Sequence, residues 1–384
     1  MKIALAHKRL DLNGGTERDL YRTAQGMRDL GHEVHLFCAE FGVDAPLGTF
    51  AHRLPVLPWG RTARLWSLAT RAPETIRKFG CDVVVGFGRL VEQDVVRSGG
   101  GTHRGFLERL GAESGAKRRL WQCVSLYHQT LLALEKRQFT LGRFRNIVAV
   151  SNEVKNDIMH HYGVPAEFIT VLYNGVDHER FQTPLREQWR GFIRRELDIP
   201  DCASVVLFVG SGFRRKGLDR LLGIWDSPEM QNAYLLVVGE DARIRHYRAR
   251  AEAVAGERIV FLGRQEAVER YYGASDVVVL PSIQEAFGNV VLEGLSCGLP
   301  VVVTRGVGAA EVLQGPLAQG VVNNPNDPAE LVKKLTLQLG RSREPDFAQK
   351  ARSFAEQYSW QNHFHKLESV LMEARAAKNS ESVS

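Results

Sequence analysis

Twice along the chain, short apolar runs alternate with stretches of helical apolar spacing, and no other feature limits the fold so tightly. The first series opens with Lys2 to Ala6, continues through Glu17 to Leu30 with Leu20, Ala24 and Met27 on one face, and returns to Val34 to Cys38. That is a β-α-β unit. Thr16 with Asp19 three residues later reads as a capping box, and Gly31 as the residue that ends the helix. Cys81 to Phe87 and Asn146 to Val150 read as further buried strands. A second series runs through Ser204 to Gly210, the helical stretch Leu218 to Trp225, Tyr234 to Gly239, Arg258 to Leu262, Asp276 to Leu280 and Pro300 to Thr304. Such alternation predicts an α/β protein with parallel, doubly wound sheets.

At 384 residues the chain exceeds the usual single-domain size, so two domains are expected. Hydrophobic residues at 44% and charged residues at 24% supply core material and exclude global disorder. No apolar run approaches the roughly 18 residues that span a bilayer. The start, Met1 to Arg9, is too short in apolar content for a signal peptide and flows into the first strand, which predicts cytoplasmic residence. Cys38, Cys81, Cys123, Cys202 and Cys297 are scattered without zinc spacing and read as reduced, mostly buried thiols. A net charge of +6 favours an anionic partner: nucleic acid, phosphates or acidic lipid.

Two carboxylates, Glu285 and Glu293 in E-A-F-G-N-V-V-L-E, follow the apolar run Val277 to Leu280 at a strand-to-helix junction. Gly288 and Asn289 fall near the helix N-terminus, where free N–H groups favour an anion. Glu293, about one turn in, suits two hydroxyls of a diol such as a ribose, while Glu285 stays on the loop. A capping residue plus a solvated helix glutamate is the plainer reading of the same pair. Gly210-Ser211-Gly212-Phe213-Arg214-Arg215-Lys216-Gly217 places three cations before the helix at Leu218. Positive charge is unfavourable at that end unless an anion such as a diphosphate offsets it, a solvated basic loop being the alternative. Asn13-Gly14-Gly15-Thr16-Glu17 links the first strand to its helix with glycines that let a ligand approach the backbone. No D-x-D triplet occurs, so a carboxylate bridge through a divalent metal is not expected.

Together these motifs resemble those of the family 4 retaining glycosyltransferases. The spaced glutamates, Lys216-Gly217, the Gly14-Gly15 loop and the connection Asn174-Gly175-Val176-Asp177 followed by Arg180-Phe181 all carry the resemblance. It implies the GT-B architecture, two facing Rossmann-like domains with a C-terminal helix crossing back to the first. Tyr358-Ser359-Trp360 followed by Phe364, Leu367, Val370 and Leu371 is similar to that helix. The implied domains are 1–172, acceptor-binding and completed by 360–384, and 173–359, binding a nucleotide-sugar donor. By the same resemblance Lys216 and Arg215 neutralise the leaving diphosphate. Ser211 stands where many relatives have an arginine, which leaves open whether Arg214 or Arg215 makes the second cationic contact. Gly14 and Gly15 are implied to face donor and acceptor. Gly263 and Arg264, followed by Glu269 and Tyr272, are implied to receive the base; Phe287, Gly288, Asn289 and Glu293 complete the donor site. His103, after Gly99-Gly100-Gly101-Thr102, matches a histidine near the transferred sugar, a structural role being equally readable. The implied reaction retains anomeric configuration by a front-face path without metal or other cofactor, Glu285 positioning sugar hydroxyls.

Arg104, Arg109, Lys117, Arg118 and Arg119 combine with Phe106, Leu107, Leu110 and Trp121 into a basic and apolar segment, readable as a contact with anionic lipid or as a solvated surface. The following stripe, Leu120, Val124, Tyr127, Leu131 and Leu134, reads as a helix packed on the first sheet. No motif accompanies the basic residues to suggest nucleic acid. The segment, Gly14-Gly15 with Arg18-Asp19, Arg215 to Arg220 and Gln284-Glu285-Ala286 most resemble the lipopolysaccharide core glucosyltransferase I group. That implies transfer of glucose from UDP-glucose to a core heptose by an enzyme peripheral on the inner face of the cell membrane. Alternatives are transfer of another nucleotide sugar, such as UDP-N-acetylglucosamine, to a different glycan, or a nucleotide-sugar binding or scaffold protein without turnover. A dinucleotide-dependent oxidoreductase is disfavoured by the missing G-x-G-x-x-G.

Overall fold

A computed structural model describes residues 1–12, 14–109 and 125–381. The chain divides into two compact units, Met1–Tyr173 joined by the chain from His363 onward, and Asn174–Asn362.

In the first unit the strands are β1 (Lys2–Leu10), β2 (Glu33–Phe41), β3 (Phe50–Arg53), β4 (Val83–Gly86), β5 (Val95–Ser98), β6 (Asn146–Ala149) and β7 (Ile169–Val171). They form one sheet in the order β3-β2-β1-β4-β5-β6-β7, every pairing parallel. The first helix, α1 (Gly15–Asp29), buries the predicted face of Leu20, Ala24 and Met27. It packs with Ile3, Leu5, Val34 and Leu36 of the sheet and with Leu367, Val370, Leu371 and Ala374. Those last four belong to the C-terminal helix Trp360–Glu381, which therefore returns to complete the first unit's core. Each such aliphatic side chain, fully buried, contributes about 1.5–3 kcal/mol of transfer free energy. The expected capping box is not formed. Gly14 is the N-cap without a side-chain hydrogen bond, and Asp19 instead accepts from Arg97 Nε at 3.1 Å, both groups being buried. A buried arginine needs a carboxylate more than an exposed helix end needs a cap.

The second unit has β8 (Ser204–Val209), β9 (Ala233–Val238), β10 (Ile259–Gly263), β11 (Val277–Leu280), β12 (Val301–Thr304) and β13 (Val321–Val322), ordered β10-β9-β8-β11-β12-β13 and again wholly parallel. Most strands stand within a residue or two of their predicted limits. The strands not expected from sequence are β3, β7 and β13, short and at sheet edges, and β5, whose buried Arg97 breaks its apolar run.

A recurrent Asp-Val-Val tripeptide fixes the amino edge of both sheets. Asp82 before β4 accepts the Lys2 N–H of β1 at 2.7 Å, and Asp94 before β5 accepts the Val84 N–H of β4 at 2.8 Å. Asp276 before β11 accepts the Val205 N–H of β8 at 2.8 Å. In each case the carboxylate satisfies a donor at the start of the neighbouring strand, which would otherwise lie at a sheet end without a ladder partner. Asp276 carries more. The helix Leu185–Glu196 presents Arg186, Arg190 and Arg194 at intervals of four residues, one face of a helix, and all three reach this carboxylate at 3.0, 2.7 and 2.8 Å. What reads in sequence as a charged stretch is an arginine ladder docked on the sheet.

Of the described cysteines, Cys38 and Cys297 are buried, Cys81 is half-buried and Cys202 is exposed, a correction to the expectation of mostly buried thiols; Cys123 lies outside the described residues. Among the described residues no helix is long and apolar enough to cross a membrane.

Arg194 is fully buried, so Asp276→Ala leaves its charge uncompensated and is expected to destabilise the second unit by about 3–5 kcal/mol. Burial alone would raise the Asp276 carboxyl, but Arg194 and Arg190 overcome it and hold the group below its usual range. Its contribution is therefore present above about pH 4 and lost as the pH falls through the lowered pKa. Urea unfolding read at neutral pH checks this; a loss below about 1 kcal/mol contradicts it.

Candidate functional site

In the second unit the loops leaving the carboxyl ends of β8, β9, β11 and β12 gather the predicted donor residues. After β8, Gly210, Ser211 and Gly212 lead into a single helical turn, Phe213–Lys216, and Gly217 separates it from a second short helix, Leu218–Leu222. The sequence predicts one helix from Leu218 to Trp225 with the cations at its start. Gly217 adopts φ +82°, and a side chain there would drive into the Pro281 carbonyl, so the chain breaks where glycine alone fits. Phe213 anchors the first turn, wholly buried against Phe208 and Tyr247 with ring centroids 5.9 and 5.3 Å away. Asp241, after β9, accepts the Phe213 N–H at 2.8 Å. The turn's own N-terminus is thus occupied by a protein carboxylate; the cations lie at its end and directly precede Gly217, the N-cap of the helix that starts at Leu218 as expected but stops at Leu222.

The charge that offsets two of those cations, Arg215 and Lys216, is Glu285. Its Oε2 pairs with Arg215 and lies 3.2 Å from Lys216 Nζ. Burial raises the Glu285 carboxyl, but Lys216 and then Arg215 pull it below its ordinary value, so it is anionic at neutral pH. Lys216 and Glu285 are largely buried, whereas Arg215 is half exposed. The loop that carries Glu285 is tied down on both sides. The Glu285 N–H donates to the Gly306 carbonyl at 3.0 Å, and the Glu285 carbonyl accepts from Gly308 at 2.9 Å. Ser282 Oγ donates to the Arg215 carbonyl at 2.9 Å, and Thr304 Oγ1 donates to the Ser282 carbonyl. This sequence-remote brace, with Asp241, was not legible in the motifs.

Phe287 is buried, Gly288 takes φ +89°, and Asn289 caps the helix Val290–Ser296 by its backbone. Asn289 Oδ1 accepts from Asn174 Nδ2 at 2.9 Å. Glu293 stands in the first turn, and its Oε2 accepts the hydroxyl of Tyr272 at 2.6 Å. Sequence reasoning assigned Tyr272 and Glu269 to the base-binding region. The structure instead buries Tyr272 completely beneath Glu293 and pairs Glu269 with Arg180 at 2.8 Å. Gly263, with φ +67°, ends β10, the strand beside β9, and the exposed Arg264 follows it directly. Among the described residues no group of three or more His, Cys, Asp or Glu side chains is arranged to hold a metal.

In the first unit Gly14 and Gly15 open α1. Glu17 follows in its first turn, held down to about 2 chiefly by the neighbouring His7 imidazole, whose Nε2 lies 3.6 Å from Oε1, with burial opposing and Lys8 assisting at 3.5 Å. His103 begins a helix described over residues 103–109. The buried Glu135 carboxylate caps that helix, accepting from the His103 and Arg104 N–H groups at 2.7 and 3.1 Å, from Arg89 at 2.6 Å and from the Tyr162 hydroxyl at 2.5 Å. His103 Nε2 meets His128 Nδ1 at 3.0 Å, and burial, aided by His128 and opposed by Glu135, pushes its pKa down to about 4. His103 is therefore a neutral, hydrogen-bonded imidazole at physiological pH. In the basic segment Arg104 pairs with Glu108, and Arg109 is committed to the buried Asp157 at 3.1 Å, which removes Arg109 from the set of free cations. Lys117, Arg118 and Arg119, with Leu110, Leu120, Trp121 and Val124, lie outside the described residues. In the helix that follows, Leu134 is buried and Tyr127 and Leu131 are half-buried.

Two family models match the chain: "Glycosyltransferase Family 4" over residues 13–180 and "Glycosyl transferases group 1" over 203–339. Lipopolysaccharide glucosyltransferase WaaG of Escherichia coli K12 is 28% identical over 349 residues, covering 89% of this chain and 91% of that protein. A D-inositol 3-phosphate glycosyltransferase of Corynebacterium jeikeium is 32% identical over 229 residues, 56% of this chain and 54% of its own. The crystal structure of WaaG, a glycosyltransferase involved in lipopolysaccharide biosynthesis, superposes with a TM-score of 0.79 at 25% identity over 96% of this chain and 99% of that one. Anabaena Alr3699/HepE in complex with UDP-glucose shares the fold at a TM-score of 0.72 and 19% identity, over 97% and 100% of the two chains.

Because Glu285 opposes an arriving anion at Lys216 and Arg215, Glu285→Gln is expected to tighten binding of inorganic pyrophosphate several-fold, about 1 kcal/mol. Calorimetry on both proteins measures it; weaker binding by the variant contradicts the charge balance described.

Proposed function

The chain belongs to the glycosyltransferases that join a family 4 domain to a group 1 domain, with the GT-B fold, and on that premise we propose that it is a retaining, metal-independent hexosyltransferase. Its donor is UDP-glucose, and its acceptor is a saccharide on a lipid carrier, a lipopolysaccharide core heptose. The observation that carries this reading is the buried Glu285 paired with Lys216 and Arg215 at the same sheet edge as Glu293.

Lys216 and Arg215 bind the diphosphate and stabilise the charge it gains as the bond from the sugar's anomeric carbon to the phosphate oxygen breaks. Glu285 holds the sugar hydroxyls and, being anionic, stabilises the cationic character of the ring. Backbone around Phe287, Gly288 and Asn289 lines the sugar, Glu293 takes the ribose diol, and Gly263 with Arg264 borders the base. In the first unit Gly14 and Gly15 form the family's glycine loop, and His103 is a neutral hydrogen-bonding group matched to the family's histidine near the transferred sugar. The acceptor oxygen attacks on the face that the diphosphate leaves, its proton passing to the departing phosphate oxygen, so configuration is kept without a covalent enzyme intermediate. The cations do the work a divalent ion performs elsewhere, and no metal is required.

The glucose and lipopolysaccharide assignment draws on the likeness to WaaG. The 32% identity to a D-inositol 3-phosphate glycosyltransferase supports, as a second reading, a different acceptor. The enzyme is placed in the cytoplasm, peripheral on the inner face of the cell membrane, through the basic segment around Arg104 and Lys117 to Arg119.

Lys216→Ala is expected to lower kcat for transfer by about 10²–10³. The wild-type rate is expected to survive excess chelator, and NMR of the product to show the donor's anomeric configuration. Loss of activity in chelator or an inverted product contradicts the mechanism. Arg118→Glu with Arg119→Glu is expected to weaken binding to anionic phosphatidylglycerol vesicles while leaving UDP affinity unchanged; equal vesicle binding removes the membrane assignment.

A further inference from the structure

Glu293 is held by a chain of contacts that begins in the connecting segment Asn174 to Phe181. Phe181 is buried and packs edge-on against the ring of Tyr272, centroids 5.2 Å apart. Tyr272, itself wholly buried, donates its hydroxyl to Glu293 Oε2 at 2.6 Å. Phe181 is fixed in turn, its carbonyl accepting from Ser296 Oγ at 2.6 Å and from Arg352 Nη1 at 2.8 Å. Arg180 grips Glu269, three residues before Tyr272 on the same short helix, and Asn174 grips Asn289, four residues before Glu293. The one segment thus braces both helices that meet at the Glu293 carboxylate.

We propose that Tyr272, clamped by Phe181, is a positioning residue that holds Glu293 in the orientation required to bind the ribose diol of the donor nucleotide. This rests on the reading of Glu293 as the diol acceptor. A free glutamate must give up side-chain entropy when it binds, and a carboxylate already hydrogen-bonded from beneath has done so before the ligand arrives. Burial, reinforced by Glu293, keeps the phenol far above its ordinary pKa, so it stays a donor throughout the physiological range. A solvent-facing phenol would supply neither the fixed direction nor the dry environment that strengthens the bond.

Tyr272→Phe retains the ring against Phe181 and deletes only the hydroxyl. It is expected to weaken binding of UDP about tenfold, raising the donor KM with little change in kcat, while affinity for inorganic pyrophosphate stays as in the wild type. The effect is expected to vanish for 2′,3′-dideoxy-UDP and to be absent when Glu293 is already replaced, so that Tyr272→Phe with Glu293→Gln binds UDP as weakly as Glu293→Gln alone. Phe181→Leu, which keeps the hydroxyl and loosens the ring, is expected to fall between wild type and Tyr272→Phe. Losses that add in the double variant, or that extend equally to pyrophosphate, mean a general structural role and overturn the inference. Unchanged UDP binding in Tyr272→Phe with weakened binding in Glu293→Gln overturns it while sparing the donor site. Unchanged binding in both overturns the reading of Glu293 as well.

Discussion

A parallel strand cannot be joined to its neighbour by a tight turn, and the structure follows from that constraint. Every pairing in both sheets is parallel, so the chain must cross over between strands, and all carboxyl ends of a sheet open on one edge. The two edges have been given different chemistry. At the amino edge, aspartates that precede Val-Val runs lock the starts of β1, β4 and β8 to the neighbouring strand through hydrogen bonds of 2.7–2.8 Å. At the carboxyl edge of the second unit, the loops carry Arg215, Lys216, Glu285 and Glu293 instead. The strand-locking aspartates and the proposed donor site are thereby separated by the length of a strand.

Carboxylates do both jobs, and what they touch decides which. Asp276 and Glu135 are saturated by arginines and backbone N–H groups. They are fixtures whose charge has no remaining task. Glu285 is also buried and also paired, but one of its partners, Arg215, reaches half into solvent. On the proposed function, a diphosphate that recruits that guanidinium would meet a cation already oriented by its pairing with Glu285. This is preorganisation of the kind that lets charged groups act on a developing charge without rearranging first.

Much of the fold was legible because buried parallel strands are written as uninterrupted valine-rich runs, as in Val277 to Leu280, and because α1 keeps Leu20, Ala24 and Met27 on one face. The separate helical turn before Gly217 was not legible, since the Pro281 carbonyl that keeps Gly217 free of a side chain comes from a loop more than sixty residues away. For the same reason Asp19 looked like a cap until Arg97 from another strand claimed it. The candidate site followed a similar division. Local motifs named Glu285, Lys216 and Glu293, whereas Tyr272, Asp241, Ser282 and Thr304 act on them through tertiary contacts that leave no spacing to read. His103 stood out by its glycine run, but its neutral state comes chiefly from burial, with Glu135 opposing and His128 aiding, and no motif links either residue to it.

The central claim, a nucleotide-sugar site built on protein cations, is tested most directly by titration calorimetry with chelator present. UDP, UDP-glucose, UDP-galactose, UDP-N-acetylglucosamine, GDP-mannose and NAD would be compared on the same preparation. Selective binding of UDP and UDP-glucose without metal is the predicted result; binding of NAD alone, or of none of these ligands, would contradict it.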